Sequence, residues 1–101
     1  MRVDAKVDGN QDRIVRDLRK LGATIAYTYP LGKGAADILV GYKGVNYWFE
    51  IKDPAQPARF RKLTPDEKKL HETWQGQIAV VEETADCLKI FHETNGREPA
   101  D

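Results

Sequence analysis

The stretch "DILVGYKGVNYWFEIK", residues 37–52, decides the fold. Two runs rich in apolar, β-branched and aromatic residues flank Lys43-Gly44, the pattern of two strands joined by a tight turn. If Lys43-Gly44 is a two-residue loop, Tyr42 faces Val45, and stepping along the ladder brings Asp37 opposite Glu50. Strand alternation then sends Ile38, Val40, Tyr47, Phe49 and Ile51 to one face, the main core. Leu39, Trp48, Glu50 and Lys52 go to the other, with Asp37. Lys-Gly is a weaker turn signal than Asn-Gly. A type I turn with Gly44 as a bulge would shift the register by one residue and separate the two carboxylates onto opposite faces.

In the first register the arrangement is costly, because like charges opposite each other destabilise a sheet. Either a cation between the carboxylates or a shared proton with one raised pKa would offset the repulsion. A hard divalent ion fits the first option, since Mg²⁺ takes oxygen ligands, one or two carboxylates among them, with water and phosphate. Lys52 cannot ligate a metal while protonated, but it can reach a phosphate oxygen or the water about to attack. Asp37, Glu50 and Lys52 together therefore suit metal-assisted attack on a phosphate. The plainer reading is an exposed sheet face on which Glu50 and Lys52 are ordinary surface charges. The residues alone leave both open.

Outward from the hairpin, Ile14, Val15, Leu18 and Leu21 fall at helical spacing between Asn10 and Leu21, and Gly22 is placed to end that helix. "TIAYTY" (24–29) reads as a strand and "PLGKG" (30–34) as a loop. "PAQPARFRK" (54–62), with two prolines, reads as an exposed basic loop. Thr64-Pro65-Asp66-Glu67 is a capping box with proline at the first helical position, and its helix carries Leu70 and Trp74 toward a stop at Gly76. "QIAVVE" (77–82) is a fourth strand. "ADCLKIF" (85–91) is a final helix or an edge strand, with helix favoured. The order α-β-β-β-α-β-α predicts an α/β fold, a small mixed sheet with flanking helices. Residues 10–92 form one domain, 1–9 a loose arm and 93–101 a frayed tail.

The 101 residues are 41% apolar and 32% charged, a soluble composition. No apolar run is long enough to span a membrane and no signal-peptide core is visible, which suggests the cytoplasm. The single Cys87 excludes an internal disulfide and a cysteine-based zinc site. The zero net charge hides a gradient. Residues 1–33 hold seven basic and four acidic side chains, 34–70 seven and five, and 71–101 two and seven, giving +3, +2 and −5. A polyanion bound on one side fits this gradient, as does a mixed solvated surface.

The Asp, hairpin and Glu-x-Lys of "EIK" resemble the core of PD-(D/E)xK nucleases. Together with "DGNQDRIVRDLRKLGA", "GAADILVGYKGVNYWFEIKD" and "LTPDEKKLHETWQGQIAVV" they resemble small stand-alone VRR-NUC domains, often phage-encoded and similar to Holliday-junction resolvases. The resemblance runs from about Asp8 to Glu82. It implies a restriction-endonuclease-like core and a Mg²⁺- or Mn²⁺-dependent DNA endonuclease that hydrolyses phosphodiester bonds. Branched DNA such as four-way junctions is the implied substrate, and a homodimer acting in a host cell the implied form.

On that resemblance Asp37, Glu50 and the Ile51 backbone carbonyl match the metal positions, and Lys52 the residue that orients water and stabilises developing charge. The first-helix Glu of resolvase-like relatives corresponds to Gln11, which also fits as the partner of a capping box begun by Asp8. Glu67 stands where the family usually carries Gln. It has a structural role as the capping-box partner of Thr64, and joins the site only if its side chain turns from the Thr64 amide. The family's proline before the aspartate is Ala36 here. His71 and Trp74 match its "HxxW"; His71 is expected as a satisfied structural histidine and Trp74 as core. Lys33, Arg59, Arg61 and Lys62 are the phosphate-contact candidates, with Lys43, Lys68 and Lys69 adding charge around the site. Gly32-Lys33-Gly34 lacks Walker A spacing, and its glycines suit a close approach of backbone to DNA. The rival readings are a nucleic-acid-binding module without catalysis, which Gln11 favours, and a small partner-binding domain.

Overall fold

The computed structural model describes residues 9–96. The loose arm over 1–8, the last five residues of the tail and the capping box begun by Asp8 lie outside the described residues. The elements are α1 (Gln11–Lys20), β1 (Thr24–Tyr27), β2 (Ile38–Tyr42), β3 (Val45–Ile51), α2 (Pro65–Thr73), β4 (Ile78–Val81) and α3 (Thr84–Gly96). This is the α-β-β-β-α-β-α order expected. The sheet runs β1-β2-β3-β4, antiparallel except for the parallel pair β3–β4.

The hairpin turn has two residues. Lys43 and Gly44 hold φ of 51° and 83°, the pair of positive values that a type I′ loop needs to match strand twist. Tyr42 therefore faces Val45, and the ladder steps down to Ile38 opposite Phe49. Ile38, Val40, Tyr47, Phe49 and Ile51 are all buried. A one-residue slip would turn all five to the other face, which is why the core fixes this register.

Two helices cover that face. α1 contributes Ile14, Val15 and Leu18. It ends at Gly22, whose φ of 97° lets Gly22 N–H donate to Arg19 C=O and Ala23 N–H to Leu18 C=O, the Schellman closure. α3 contributes Cys87 and Phe91, whose ring sits 4.6 Å from Tyr42 and 4.8 Å from Tyr47 between centroids. Burial of such a ring contributes roughly 1.5–3 kcal/mol; α3 itself runs through Gly96, past the expected fraying point. Burial also pushes the Cys87 thiol up to about 12, so it packs as a small apolar group.

α2 lies on the opposite face and buries no residue of its own. Trp74, expected in the core, is 47% exposed and meets Trp48 edge to face at 4.6 Å. The main core is filled from the other side of the sheet, so a face-sharing position on α2 leads to a satellite contact. β1 is shorter than its β-branched run suggests. The N–H groups of Thr28 and Tyr29 both donate to Asp37 C=O, and Pro30 then opens a 3-10 turn over Tyr29–Leu31. Among the described residues no helix is long and apolar enough to cross a membrane.

Candidate active site at the end of the central strands

Asp37 sits just before β2, at the end of the hairpin away from its turn. The last ladder pair is Ile38–Phe49, and the Asp37 N–H donates to Phe49 C=O at 3.0 Å, one step out of register. Asp37 therefore does not extend the ladder to a simple pair with Glu50. Its Oδ2 instead accepts the Ile51 N–H at 2.6 Å. The residue is held from three sides, because its C=O also accepts from Thr28 and Tyr29. Thr28 Oγ1 donates to Ala36 C=O at 2.6 Å and accepts from Trp48 Nε1 at 2.8 Å, which fixes the approach to Asp37.

Glu50 and Lys52 project from the α2 face of β3 and are buried all the same, at 3% and 9% exposure. Lys52 Nζ lies 3.3 Å from Glu50 Oε2 and 3.1 Å from Glu67 Oε1. Glu67 Oε1 also accepts the Thr64 N–H at 2.9 Å, while Thr64 Oγ1 accepts the Glu67 N–H at 3.2 Å. The capping box and the contact with Lys52 thus share one oxygen, and Glu67 serves both without turning away from its cap.

The charges are out of balance around Glu50. Burial pushes its carboxyl up to about 8, the negative charges of Asp37 and Glu67 add to the rise, and Lys52 offsets part of it. Burial works against the Lys52 ammonium too. The hydrogen bond to Glu67 and the charges of Glu50 and Glu67 outweigh that and raise its pKa, so it stays charged. Glu67 is opposed by burial but ends below the carboxylate range, through the Thr64 amide and Lys52. One proton therefore belongs on Glu50, the member with the fewest donors. Its Oε1 is shut off from solvent with no hydrogen-bond partner.

One turn beyond Glu67 on α2, His71 faces the same cluster. It is not a satisfied histidine: its Nε2 is buried without a partner. Burial lowers its pKa, with Glu67 and Lys52 acting in opposite senses. The sequence singled out His71 only by its match to "HxxW"; its four-residue spacing from Glu67 is the signal that could have placed it here. Asn10 escaped notice. Its Nδ2 donates to Lys52 C=O at 3.0 Å and Glu82 C=O at 2.6 Å, tying the start of α1 to the ends of β3 and β4.

The other candidates separate. Gln11 is 3% exposed at the start of α1, next to Asn10, which reaches the Lys52 carbonyl. Arg61 Nε donates to Gln56 C=O at 3.0 Å and its NH1 lies 3.5 Å from Glu82, so it ties down the basic loop. Arg59 and Lys62 are exposed on that loop, and Lys33 is exposed before β2. Lys43 is at the hairpin tip, roughly 17 Å of strand from Asp37, and its Nζ sits 5.4 Å from the Tyr42 ring centroid. Gly34 approaches protein in place of DNA: a Cβ there would stand 2.6 Å from the Asp66 backbone, so the loop before β2 packs directly on the start of α2.

A divalent ion suits this donor set on one observation, the buried Oε1 of Glu50 that lacks any partner among charges of its own sign. Among the described residues no group of three or more His, Cys, Asp and Glu could hold a metal. Asp37 and Glu50 offer carboxylate oxygens of the kind Mg²⁺ uses when water and phosphate complete its shell. Comparison with protein-family models, curated proteins and solved structures finds no match to this chain.

Proposed function

We propose that this chain is a Mg²⁺- or Mn²⁺-dependent deoxyribonuclease of the PD-(D/E)xK type, acting in the cytoplasm on branched DNA as a homodimer. The observation that carries this reading is the buried, unpartnered Oε1 of Glu50 beside Asp37 and Lys52. Asp37, Glu50 and the Ile51 carbonyl would hold the ion, which supplies positive charge that polarises the phosphate. Lys52, kept as an ammonium, would donate to a phosphate oxygen where negative charge develops. Glu67 holds Lys52 in place from α2. Asp37 is held in place by hydrogen bonds to its backbone and its carboxylate.

The test is cleavage of supercoiled plasmid and a synthetic four-way junction with Mg²⁺, Mn²⁺ or EDTA, beside Lys52→Ala. Metal-dependent cutting that drops at least 100-fold in the variant is expected, and paired symmetric cuts in the junction would support the dimer. Binding without cutting under either metal would sink the reading. It would favour a non-catalytic nucleic-acid-binding module, a reading that the uncharged Gln11 supports.

A further inference from the structure

Phe60 has no place in the chemistry above. It lies on the loop that joins Lys52, at the end of β3, to α2 with its Glu67, and it is 58% exposed. The loop is not slack there. Phe60 N–H donates to Pro57 C=O at 2.9 Å within a 3-10 turn, Arg61 N–H donates to Ala58 C=O at 3.0 Å, and Arg61 clamps the segment to Gln56 and Glu82. The Arg59 guanidinium sits 4.6 Å from the Phe60 ring centroid. A rigid aromatic is therefore held out into solvent with Arg59 stacked on it and exposed Lys62 two residues on.

A single exposed apolar side chain is ordinary, but Phe60 is the most exposed aromatic among the described residues and carries a cation over one face. No other ring packs on it among the described residues. The neighbouring cations argue for an anionic partner with a flat apolar face, and a nucleotide has both. In continuous duplex the base faces are stacked on each other, so only an unpaired base can reach a side chain in this way. We propose that Phe60 is a stacking platform for an unpaired base, so that the protein selects DNA with single-stranded or splayed nucleotides beside the site. This rests on the nuclease reading for what lies next to the platform, and its test does not require cleavage.

The experiment is equilibrium binding in EDTA of a fluorescent single-stranded oligonucleotide and of the matching duplex, for the wild type, Phe60→Ala and Phe60→Trp. Thermal melts check that the exposed-loop variants fold. Phe60→Ala should weaken single-strand binding by roughly 5- to 100-fold with little change on duplex, and Phe60→Trp should preserve it. A 2-aminopurine reporter in the single strand should lose its protein-induced quenching in Phe60→Ala. Equal losses on single strand and duplex would overturn the platform. So would unchanged DNA affinity with a shift in oligomeric state, which would make Phe60 a contact between two copies. A wild type that binds single strands through Phe60 but never cuts would retire the nuclease reading and keep the platform. A wild type that cuts while Phe60→Ala binds normally would do the reverse.

Discussion

At Glu50 the structure trades stability for a poised oxygen. Its folded pKa, about 8, is above the ordinary 4.5, so between these values the folded chain holds a proton that the unfolded chain releases. The stabilisation is fully present below pH 4.5 and is lost as pH rises through 8. In EDTA, wild-type stability should therefore fall between about pH 5 and 8. Glu50→Gln, which mimics the protonated form, should flatten that slope and be about 1–3 kcal/mol more stable at pH 8.5. Adding Mg²⁺ at pH 8.5 should raise the wild-type Tm and leave the Gln variant unmoved. A wild-type Tm indifferent to Mg²⁺ and Mn²⁺ would remove the ion from this site. His71 makes the same trade on α2. Its buried, unpartnered Nε2 costs about 1–3 kcal/mol, so His71→Leu should gain stability of that order. If the ring serves the reaction, the same variant should cut at least tenfold more slowly. A stable and fully active Leu variant would reduce His71 to packing.

Between elements, the weak link is α2, which buries no residue yet delivers Glu67 and His71. Besides the Trp48–Trp74 and Lys52–Glu67 contacts, it is seated by backbone contact with Gly34, where φ is 83° and an added Cβ would meet Asp66 C and O at 2.6 Å. Gly34→Ala should cost about 2–4 kcal/mol, from the left-handed backbone and from the clash together. It should also cut activity by displacing Glu67 from Lys52. Gly44→Ala is the control, because its φ of 83° equals that of Gly34 and an added Cβ there meets nothing within 4 Å. Calorimetry and cleavage of the two variants separate seating from loop strain, and equal behaviour would mean that Gly34 matters only for its own turn. The hairpin, its register and the core face were legible in the sequence because alternation and turn chemistry are local. The seat of α2 was not, since Gly34 and Asp66 are 32 residues apart and no pattern marks their contact. Trp74 was misjudged for the same reason: helical spacing says which residues share a face but not whether that face meets the core. Alternation located Asp37 at the end of the hairpin, but its tie to the Ile51 N–H, which departs from the ladder, could not be read from it.

Across the whole molecule, charge is sorted differently from the gradient along the chain. α1, with Arg13, Arg16, Arg19 and Lys20, and acidic α3 both cover the core face. The carboxylates and Lys52 open toward α2, where Lys62, Lys68 and Lys69 are exposed. The N-terminal excess of positive charge thus lies on the α1 side of the sheet, and Asp17 accepts from Thr84 at 2.7 Å where the two helices meet. DNA bound at the site should feel the α2 side and not the outer surface of α1. Each phosphate neutralised contributes about −0.9 to the slope of log K against log salt on duplex, and about −0.7 on a single strand. Replacing Lys62 and Lys68 together by Ser should therefore flatten the slope by roughly 1–2, with the loss spread evenly over sequences. Replacing Arg16 and Lys20, equally exposed, should leave it unchanged although the same formal charge is removed. The paired design matters because any loss of two cations alters the long-range field, whereas only contacts made with phosphates release their counterions. If the α1 pair moved the slope and the α2 pair did not, DNA would lie across the helical face, and Asp37, Glu50 and Lys52 would be on the wrong side of the sheet to cut it.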